Sequence, residues 1–247
     1  MPKEALIERI AEQQGRPNLA EILVLHTRVV DERLLRMLTA GLVQTMELDI
    51  SSTEDDRYYI GHHWQFYENR GLVFPPPNVS LEEAMWAIIS YRVFTKLDCK
   101  DKGAVPKVAE LALSLGSSNC MLHAFVREFD YQKNGREGHW LYENIGLEEI
   151  IRLRNEVGQP ALQVSCRGFT YNGIATTDDY QVSNLNEVCT KAKENKIEVV
   201  NLNLPDNQVP PDWALKYFYD NGVLLEVYED SRKRQLSCDV FTTIEVE

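Results

Sequence analysis

Cys120 and the histidines are the side chains in this sequence that are best suited to chemistry. Cys120 follows a turn of small residues, Ser117-Ser118-Asn119. A thiol in such a setting becomes a nucleophile when a histidine accepts its proton. His63 and His139 are the candidates for that base. One hypothesis is therefore a thiol-dependent hydrolase or transferase, with Cys120 as nucleophile and His63 or His139 as base.

The segment from Leu115 to Phe125 resembles the nucleophile segment of ovarian-tumour-type deubiquitinases, over about ten residues. The resemblance implies that Cys120 opens a helix whose N-terminus lowers the pKa of the thiol. The sequence departs from that family in two ways: Ser117-Ser118 replaces its Asp-Gly pair, and no histidine follows His139. The apolar neighbours Met121 and Leu122 indicate instead that Cys120 is buried and inert, since desolvation raises the pKa of a thiol.

A second chemical hypothesis is a metal-dependent enzyme that uses His63, His139, Glu68 and Glu143. Two imidazoles and two carboxylates suit zinc, iron or manganese. No H-x-x-x-H or H-E-x-x-H spacing places two of these ligands on one element. No glycine-rich nucleotide-binding motif occurs either. We therefore predict no cofactor and assign no metal ligands, and the metal-dependent enzyme stays an alternative hypothesis.

An internal repeat is the feature that would bring those side chains together. The string from His63 to Leu72 has a near twin from His139 to Leu147, and Tyr67-Glu68-Asn69 precedes Tyr142-Glu143-Asn144 by 75 residues. The same offset relates Gly41 to Gly116, Leu38 to Leu113 and Met46 to Met121. A weaker third match to the repeat is Tyr219-Asp220-Asn221. The pattern predicts tandem units in which two strands lead to a Tyr-Glu-Asn corner, and we interpret the corners as structural.

The local periodicities complete the predicted fold. A helix through Leu34, Leu35 and Leu38 ends at Gly41, Met46–Ile50 alternates as a strand does, and Ser80 opens a helix through a capping box. We also predict a helix that contains Ile22, Leu25 and Val29, and a closing hairpin from Val223–Tyr228 and Leu236–Ile244. The prediction is an α+β fold with mostly antiparallel sheets, one body over 1–247, with units 18–100, 101–175 and 176–247.

Composition indicates the compartment and the class of partner. Asp and Glu number 38 against 26 Lys and Arg, a formal charge of −12 that disfavours nucleic-acid binding. The N-terminus lacks a signal peptide, no apolar run is long enough to span a bilayer, and the five cysteines are scattered. We expect a soluble, acidic, cytoplasmic protein without a membrane partner. The favoured hypothesis is a binding or regulatory protein that holds a protein partner or a small ligand.

Overall fold

The computed structural model describes residues 21–27, 30, 32–43, 45–55, 57–74, 79–130, 145–167, 182–202, 210, 212–228 and 240–245. The strands within these ranges are β1 (Glu21–Thr27), β2 (Thr45–Ser52), β3 (Tyr58–Ile60), β4 (Phe94–Cys99), β5 (Cys120–Asp130), β6 (Ala161–Arg167), β7 (Val199–Leu202), β8 (Leu224–Tyr228) and β9 (Val240–Glu245). The helices are α1 (Glu32–Thr39), α2 (Trp64–Glu68), α3 (Leu81–Ser90), α4 (Val105–Leu115), α5 (Leu147–Glu156), α6 (Val182–Glu194) and α7 (Asp212–Asp220). A 3₁₀ turn, Lys102–Ala104, joins β4 to α4.

The strands close into a parallel barrel. Each strand pairs in parallel with the next in the order β1, β2, β4, β5, β6, β7, β8 and β9. Strand β9 pairs in parallel with β1, which closes the ring. Strand β3 adds one antiparallel pairing at the carboxyl end of β2. Parallel neighbours need a crossover connection, and the described helices provide it for the barrel strands from β1 to β8. The architecture is an eight-stranded α/β barrel.

The predicted antiparallel α+β fold is wrong, because neighbouring barrel strands are parallel. Strand β1 occupies the segment predicted as the helix with Ile22 and Leu25. Strands β8 and β9, predicted as a closing hairpin, run in the same direction. The prediction that Met46–Ile50 forms a strand is confirmed, within β2. Its polar positions face the barrel interior, and the alternation alone does not distinguish this placement from a sheet with one face in water.

Other local predictions are confirmed. Helix α1 carries the buried residues Leu34 and Leu38 and is followed by Gly41 at φ +70°, a backbone angle that favours glycine. Helix α3 begins at the predicted capping box: the Glu83 amide donates to Ser80 Oγ at 3.1 Å, and the Ser80 amide donates to the Glu83 carboxylate at 3.0 Å.

The tandem-repeat prediction is not supported. The predicted aromatic strand around Trp64 to Tyr67 is helix α2. Met46 packs in the apolar layer between barrel and helices. Met121 lies two residues before the inward-facing His123, on the same face of β5, and therefore faces the barrel interior. The second copy, from His139 to Asn144, lies outside the described residues. Residues 75 positions apart, such as Met46 and Met121, lie on β2 and β5 of the same barrel but on opposite faces of their strands.

Two layers of side chains make up the interior of the fold. Apolar residues fill the space between the strands and the surrounding helices, for example Leu48 on β2, Leu97 on β4 and Leu111 on α4. The inner faces of the same strands are polar, and they form the site described below. Over the described ranges, no helix is both long and apolar enough to cross a membrane.

Candidate active site

Polar side chains line the inside of the barrel on six of its strands and the residue after β4. All of them are at most 5% exposed: Glu47, Asp49, Lys96, Asp98, Lys100, His123, Gln163, Ser165, Asn201 and Glu226. Alternate residues of a strand face one side, so the charged positions of β2 and β4 share the interior. The register aligns Asp49 with Asp98 and Asp98 with His123 across three neighbouring strands. These residues lie toward the carboxyl ends of β2 and β4, the end where barrels of this kind carry their active sites.

A compact donor set forms the centre of this interior. One ligand atom from each of Glu47, Asp98 and His123 lies within 4.8 Å of the others, and we call these residues the carboxylate–histidine cluster. His123 Nδ1 is 3.0 Å from Asp98 Oδ1 and 3.8 Å from Glu47 Oε1. Two carboxylates and one imidazole are ligands that divalent metal ions such as zinc, iron and manganese accept. The residues present therefore fit a divalent cation.

A row of charged groups leads from the cluster toward the barrel mouth. Lys100 Nζ donates to the carboxylate of Asp98 and lies 3.2 Å from Asp49 Oδ1. The second oxygen of Asp49, Oδ2, is 3.3 Å from His62 Nε2. The side chain of Asp49 is fully buried, whereas that of His62 is 12% exposed. His62 is thus the outer and more exposed member of the row.

Strand β3 and helix α2 hold His62 in place. The Gly61 amide donates to the Asp49 carbonyl at 3.0 Å, which fixes the chain next to β2. The Tyr59 hydroxyl donates to the His62 carbonyl at 2.8 Å, and the His62 amide donates to the Tyr67 hydroxyl at 3.3 Å. The imidazole of His62 stacks on the ring of Phe66, with centroids 4.3 Å apart. An imidazole restrained in this way is preorganised for proton transfer.

The charges of the described inner side chains do not balance by themselves. Four carboxylates, those of Glu47, Asp49, Asp98 and Glu226, face the two ammonium groups of Lys96 and Lys100 and the imidazole of His123, so negative groups outnumber positive ones even when that imidazole is charged. Burial would raise the pKa of Asp98, but the charges of His123 and Lys100 outweigh it and hold that pKa well below its usual range. Asp98 is therefore ionised at neutral pH. Burying excess charge is costly, and a divalent cation offsets two negative charges.

The candidate nucleophile Cys120 lies away from this site. It begins β5 and is fully buried, and its Sγ is 3.5 Å from the Gly116 carbonyl at the end of α4. Its side chain belongs to the apolar layer between barrel and helices. The prediction that Cys120 is buried is confirmed, whereas its place at a helix N-terminus is wrong, because it starts a strand.

The candidate bases and metal ligands fall in different places. His63 occupies the N-cap position of α2 without a side-chain capping hydrogen bond. It lies beyond the carboxyl end of β2, whereas Cys120 lies at the amino end of β5, so the two are at opposite ends of the barrel. Glu68 is exposed at the end of α2. His139 and Glu143 lie outside the described residues. The catalytic role of Cys120 with His63 or His139, and the metal set built on Glu68 and Glu143, stay predictions.

Sequence reasoning missed the residues of the cluster. In the sequence, Glu47 and Asp49 are the polar positions of an alternating strand and carry no further signal. Asp98 and Lys100 form the same alternation in Leu97-Asp98-Cys99-Lys100, directly after a helix with a strong start signal. Charged residues at every second position of two apolar strands were the available signal, because such residues share one face of each strand and meet when the strands are neighbours in a sheet.

Known structures resemble the fold over nearly the whole chain. A glycerophosphodiester phosphodiesterase from Thermotoga maritima is 12% identical, with a TM-score of 0.50 and coverage of 90% of this chain and 94% of that one. A glycerophosphodiester phosphodiesterase from Agrobacterium tumefaciens is 10% identical, with the same TM-score and the same coverage. A phosphonomutase candidate from Burkholderia cenocepacia is 11% identical, with a TM-score of 0.52 and coverage of 98% and 92%.

No sequence profile of a known protein family and no curated protein sequence matches the chain. At these identities the similarity establishes the fold, which is the α/β barrel. The prediction of a binding or regulatory protein is wrong: the chain shares its fold with barrel enzymes, and its interior gathers ionised groups at the end where such enzymes react.

Proposed function

We propose that this protein is a divalent-cation-dependent hydrolase of phosphodiesters. The observation that carries the proposal is the carboxylate–histidine cluster, connected through Lys100 and Asp49 to His62 at the barrel mouth. A site with a cation, a lysine and a histidine suits an anionic substrate whose leaving group needs a proton. Two fold neighbours with TM-scores of 0.50 are glycerophosphodiester phosphodiesterases, which agrees with this substrate class.

Glu47, Asp98 and His123 would hold the cation, with Asp49 close by. Lewis-acid stabilisation of the phosphoryl oxygens is the chemistry that a bound cation supplies. The excess negative charge of the described interior favours that cation over an empty site. Ser165 Oγ, 2.8 Å from His123 Nε2, fixes the orientation of the imidazole, as partners of metal-binding histidines do.

His62 is the residue we assign to proton transfer. Asp49 orients its imidazole from the buried side, and the contacts with Tyr59, Tyr67 and Phe66 restrain it. This is the arrangement in which a carboxylate orients a histidine that acts as general acid or base. In hydrolysis of an alkyl phosphodiester, water would attack phosphorus and lose a proton to solvent while the P–O bond to the leaving group breaks. His62 would donate its proton to the departing alkoxide oxygen and then regain one from solvent.

Lys100 has a different task in the proposed site. Its ammonium contacts the carboxylates of Asp98 and Asp49 together, so it holds the inner cluster and the outer His62 row in one arrangement. Its charge also prevents repulsion between the two aligned aspartates, which pair in register on β2 and β4. Lys100 therefore places a positive charge next to Asp49, which in turn contacts His62.

The test is phosphodiester hydrolysis by the purified protein after metal removal and reloading. The substrates are sn-glycero-3-phosphocholine and bis(4-nitrophenyl) phosphate, each assayed with chelator and with added Mg²⁺, Mn²⁺ or Ca²⁺. We expect no turnover in chelator and recovery with at least one of the three cations. Absence of hydrolysis with every cation, or hydrolysis that persists in chelator, would overturn the proposal.

A further inference from the structure

Lys96 is a buried ammonium next to the carboxylate–histidine cluster, and the proposed hydrolysis gives it no role. It lies on β4 two residues before Asp98, and its side chain is 2% exposed. Its Nζ donates to Glu47 Oε2 at 3.0 Å and to Glu226 Oε1 at 2.7 Å. It therefore bridges β2 and β8 across the barrel interior.

Hydrogen bonds also fix Glu226, the carboxylate at the β8 end of this bridge. Glu226 Oε2 accepts a hydrogen bond from Gln163 Nε2 at 2.6 Å and another from Asn201 Nδ2. These two amides come from β6 and β7, the strands that precede β8 in the sheet. Glu226 thus has a fixed position, and so does the ammonium that it neutralises. We call Lys96, Glu226, Gln163 and Asn201 the barrel-floor network.

The two carboxylate oxygens of Glu47 have different partners. Oε2 accepts from Lys96, whereas Oε1 lies 3.8 Å from His123 Nδ1, on the side of the cluster. A glutamate side chain has three rotatable bonds, and ordering it costs free energy unless contacts hold it. Lys96 supplies such a contact at the oxygen that points away from the cluster.

We propose that Lys96, held by the barrel-floor network, is a positioning residue that aims Glu47 Oε1 at the cation site. This inference rests on the proposed function, because it needs a cation between Glu47, Asp98 and His123. Lys96 touches neither the cation nor the substrate, and it acts through Glu47. Its position between two carboxylates also fills the space next to Glu47 Oε2, so the cluster takes one cation.

Charge repulsion by Lys96 would weaken cation binding, whereas positioning of Glu47 by Lys96 would strengthen it. The two effects are opposite in sign, so a measured affinity separates them. An ammonium close to a cation site repels the cation, so deleting its charge should tighten binding if position did not matter. The double variant Lys96→Met/Glu226→Gln removes one positive and one negative charge and keeps both shapes. The net charge of the interior is then unchanged, and a loss of affinity reports the lost positioning of Glu47.

The matched control is a second buried ion pair that has no contact with the cluster. Arg154 on α5 donates to Glu198 Oε1 at 2.6 Å, and the Leu162 amide donates to Glu198 Oε2 at 2.9 Å. The double variant Arg154→Met/Glu198→Gln makes the same kind of charge-neutral change there. It measures how far a general loss of a buried pair disturbs cation binding.

The experiment is a Mn²⁺ titration of the metal-free proteins, followed by isothermal calorimetry or by the loss of the free-ion electron paramagnetic resonance signal. We expect one site per chain in the wild type, binding about 10–100-fold weaker in Lys96→Met/Glu226→Gln, and affinity within a factor of about three in the control. Equal affinity of the wild type and the Lys96 variant would overturn the inference. A wild type that binds no Mn²⁺ would instead overturn the proposed function.

A crystal structure of the wild type with Mn²⁺ tests the same point without a variant, in case the double variant does not fold. We expect Glu47 Oε1 on the metal and Oε2 still in contact with Lys96 Nζ. A Mn²⁺ ion that displaces Lys96 from Glu47, or a second ion between Glu47 and Glu226, would show that Lys96 does not position this carboxylate.

Discussion

Ser165 Oγ lies 2.8 Å from His123 Nε2, so a side chain on β6 fixes the imidazole that β5 contributes to the carboxylate–histidine cluster. The opposite ring nitrogen, Nδ1, faces Asp98 at 3.0 Å. Ser165 and His123 are both buried, at 3% and 4% exposure. The orientation of this histidine is therefore set by the barrel wall before any ligand binds.

Replacement of Ser165 by Ala is expected to weaken cation binding about 10–100-fold, because the imidazole loses the partner that orients it. Ser165→Thr retains the hydroxyl and is expected to bind Mn²⁺ nearly as the wild type does. Mn²⁺ titration of the two metal-free variants measures the difference. If Ser165→Ala binds Mn²⁺ as tightly as Ser165→Thr, His123 does not depend on this hydroxyl.

His62→Asn is expected to slow hydrolysis of glycerophosphocholine by about 10²–10⁴-fold, the usual contribution of a general acid. Hydrolysis of bis(4-nitrophenyl) phosphate should fall much less, since nitrophenolate leaves without protonation. The neighbouring variant His63→Asn is the control, and steady-state kinetics with both substrates gives the comparison. An equal loss on both substrates would contradict the assignment of His62 as proton donor.

Gly103→Ala is expected to destabilise the connection between β4 and α4 by about 1–3 kcal/mol. An added Cβ would lie 2.2 Å from Ser52 Oγ, a short side chain that cannot move aside easily. That hydroxyl donates to Asp101 Oδ1 at 2.6 Å, and the Ala104 amide donates to the same oxygen at 2.9 Å. Urea unfolding measures the change.

The control for this substitution is Gly146→Ala, where an added Cβ meets nothing within 4 Å. Gly146 is the N-cap of α5, so the effect should stay below about 1 kcal/mol, the cost of alanine at such a position. Equal stability of the two variants would mean that the Ser52–Asp101 contacts do not constrain the loop.

Cys120→Ala is expected to cost about 1–2 kcal/mol of stability and to leave activity per folded molecule unchanged. The thiol is fully buried against α4, in the apolar layer outside the barrel. Thermal unfolding and kinetics on the same preparation separate the two effects. Loss of activity at unchanged stability would support the thiol-dependent hypothesis in place of the proposed one.

Local sequence signals predicted individual elements well but not their arrangement. The capping box at Ser80 and the glycine at 41 act through contacts within a few residues, so sequence alone reveals them. Strand direction depends on contacts far apart in the chain. Met46-Glu47-Leu48-Asp49-Ile50 alternates equally well whether its polar face meets water or the interior of a barrel.

The site was missed for the same reason. Glu47, Asp98 and His123 come from three strands, and their approach depends on the parallel register of β2, β4 and β5. His62 directly precedes His63 in the sequence, and nothing local distinguishes the two. What separates them is the contact with Asp49, which exists only after β3 folds back along β2.

The central claim is that a divalent cation bound by the carboxylate–histidine cluster drives phosphodiester hydrolysis, and Asp98→Asn tests it most directly. Asparagine keeps the shape of Asp98 but removes the charge that the cation needs. Mn²⁺ titration and glycerophosphocholine hydrolysis should be measured on one preparation whose circular dichroism matches the wild type. The account predicts that Asp98→Asn loses Mn²⁺ binding and hydrolysis together, whereas a folded Asp98→Asn protein that retains cation-dependent hydrolysis would contradict it.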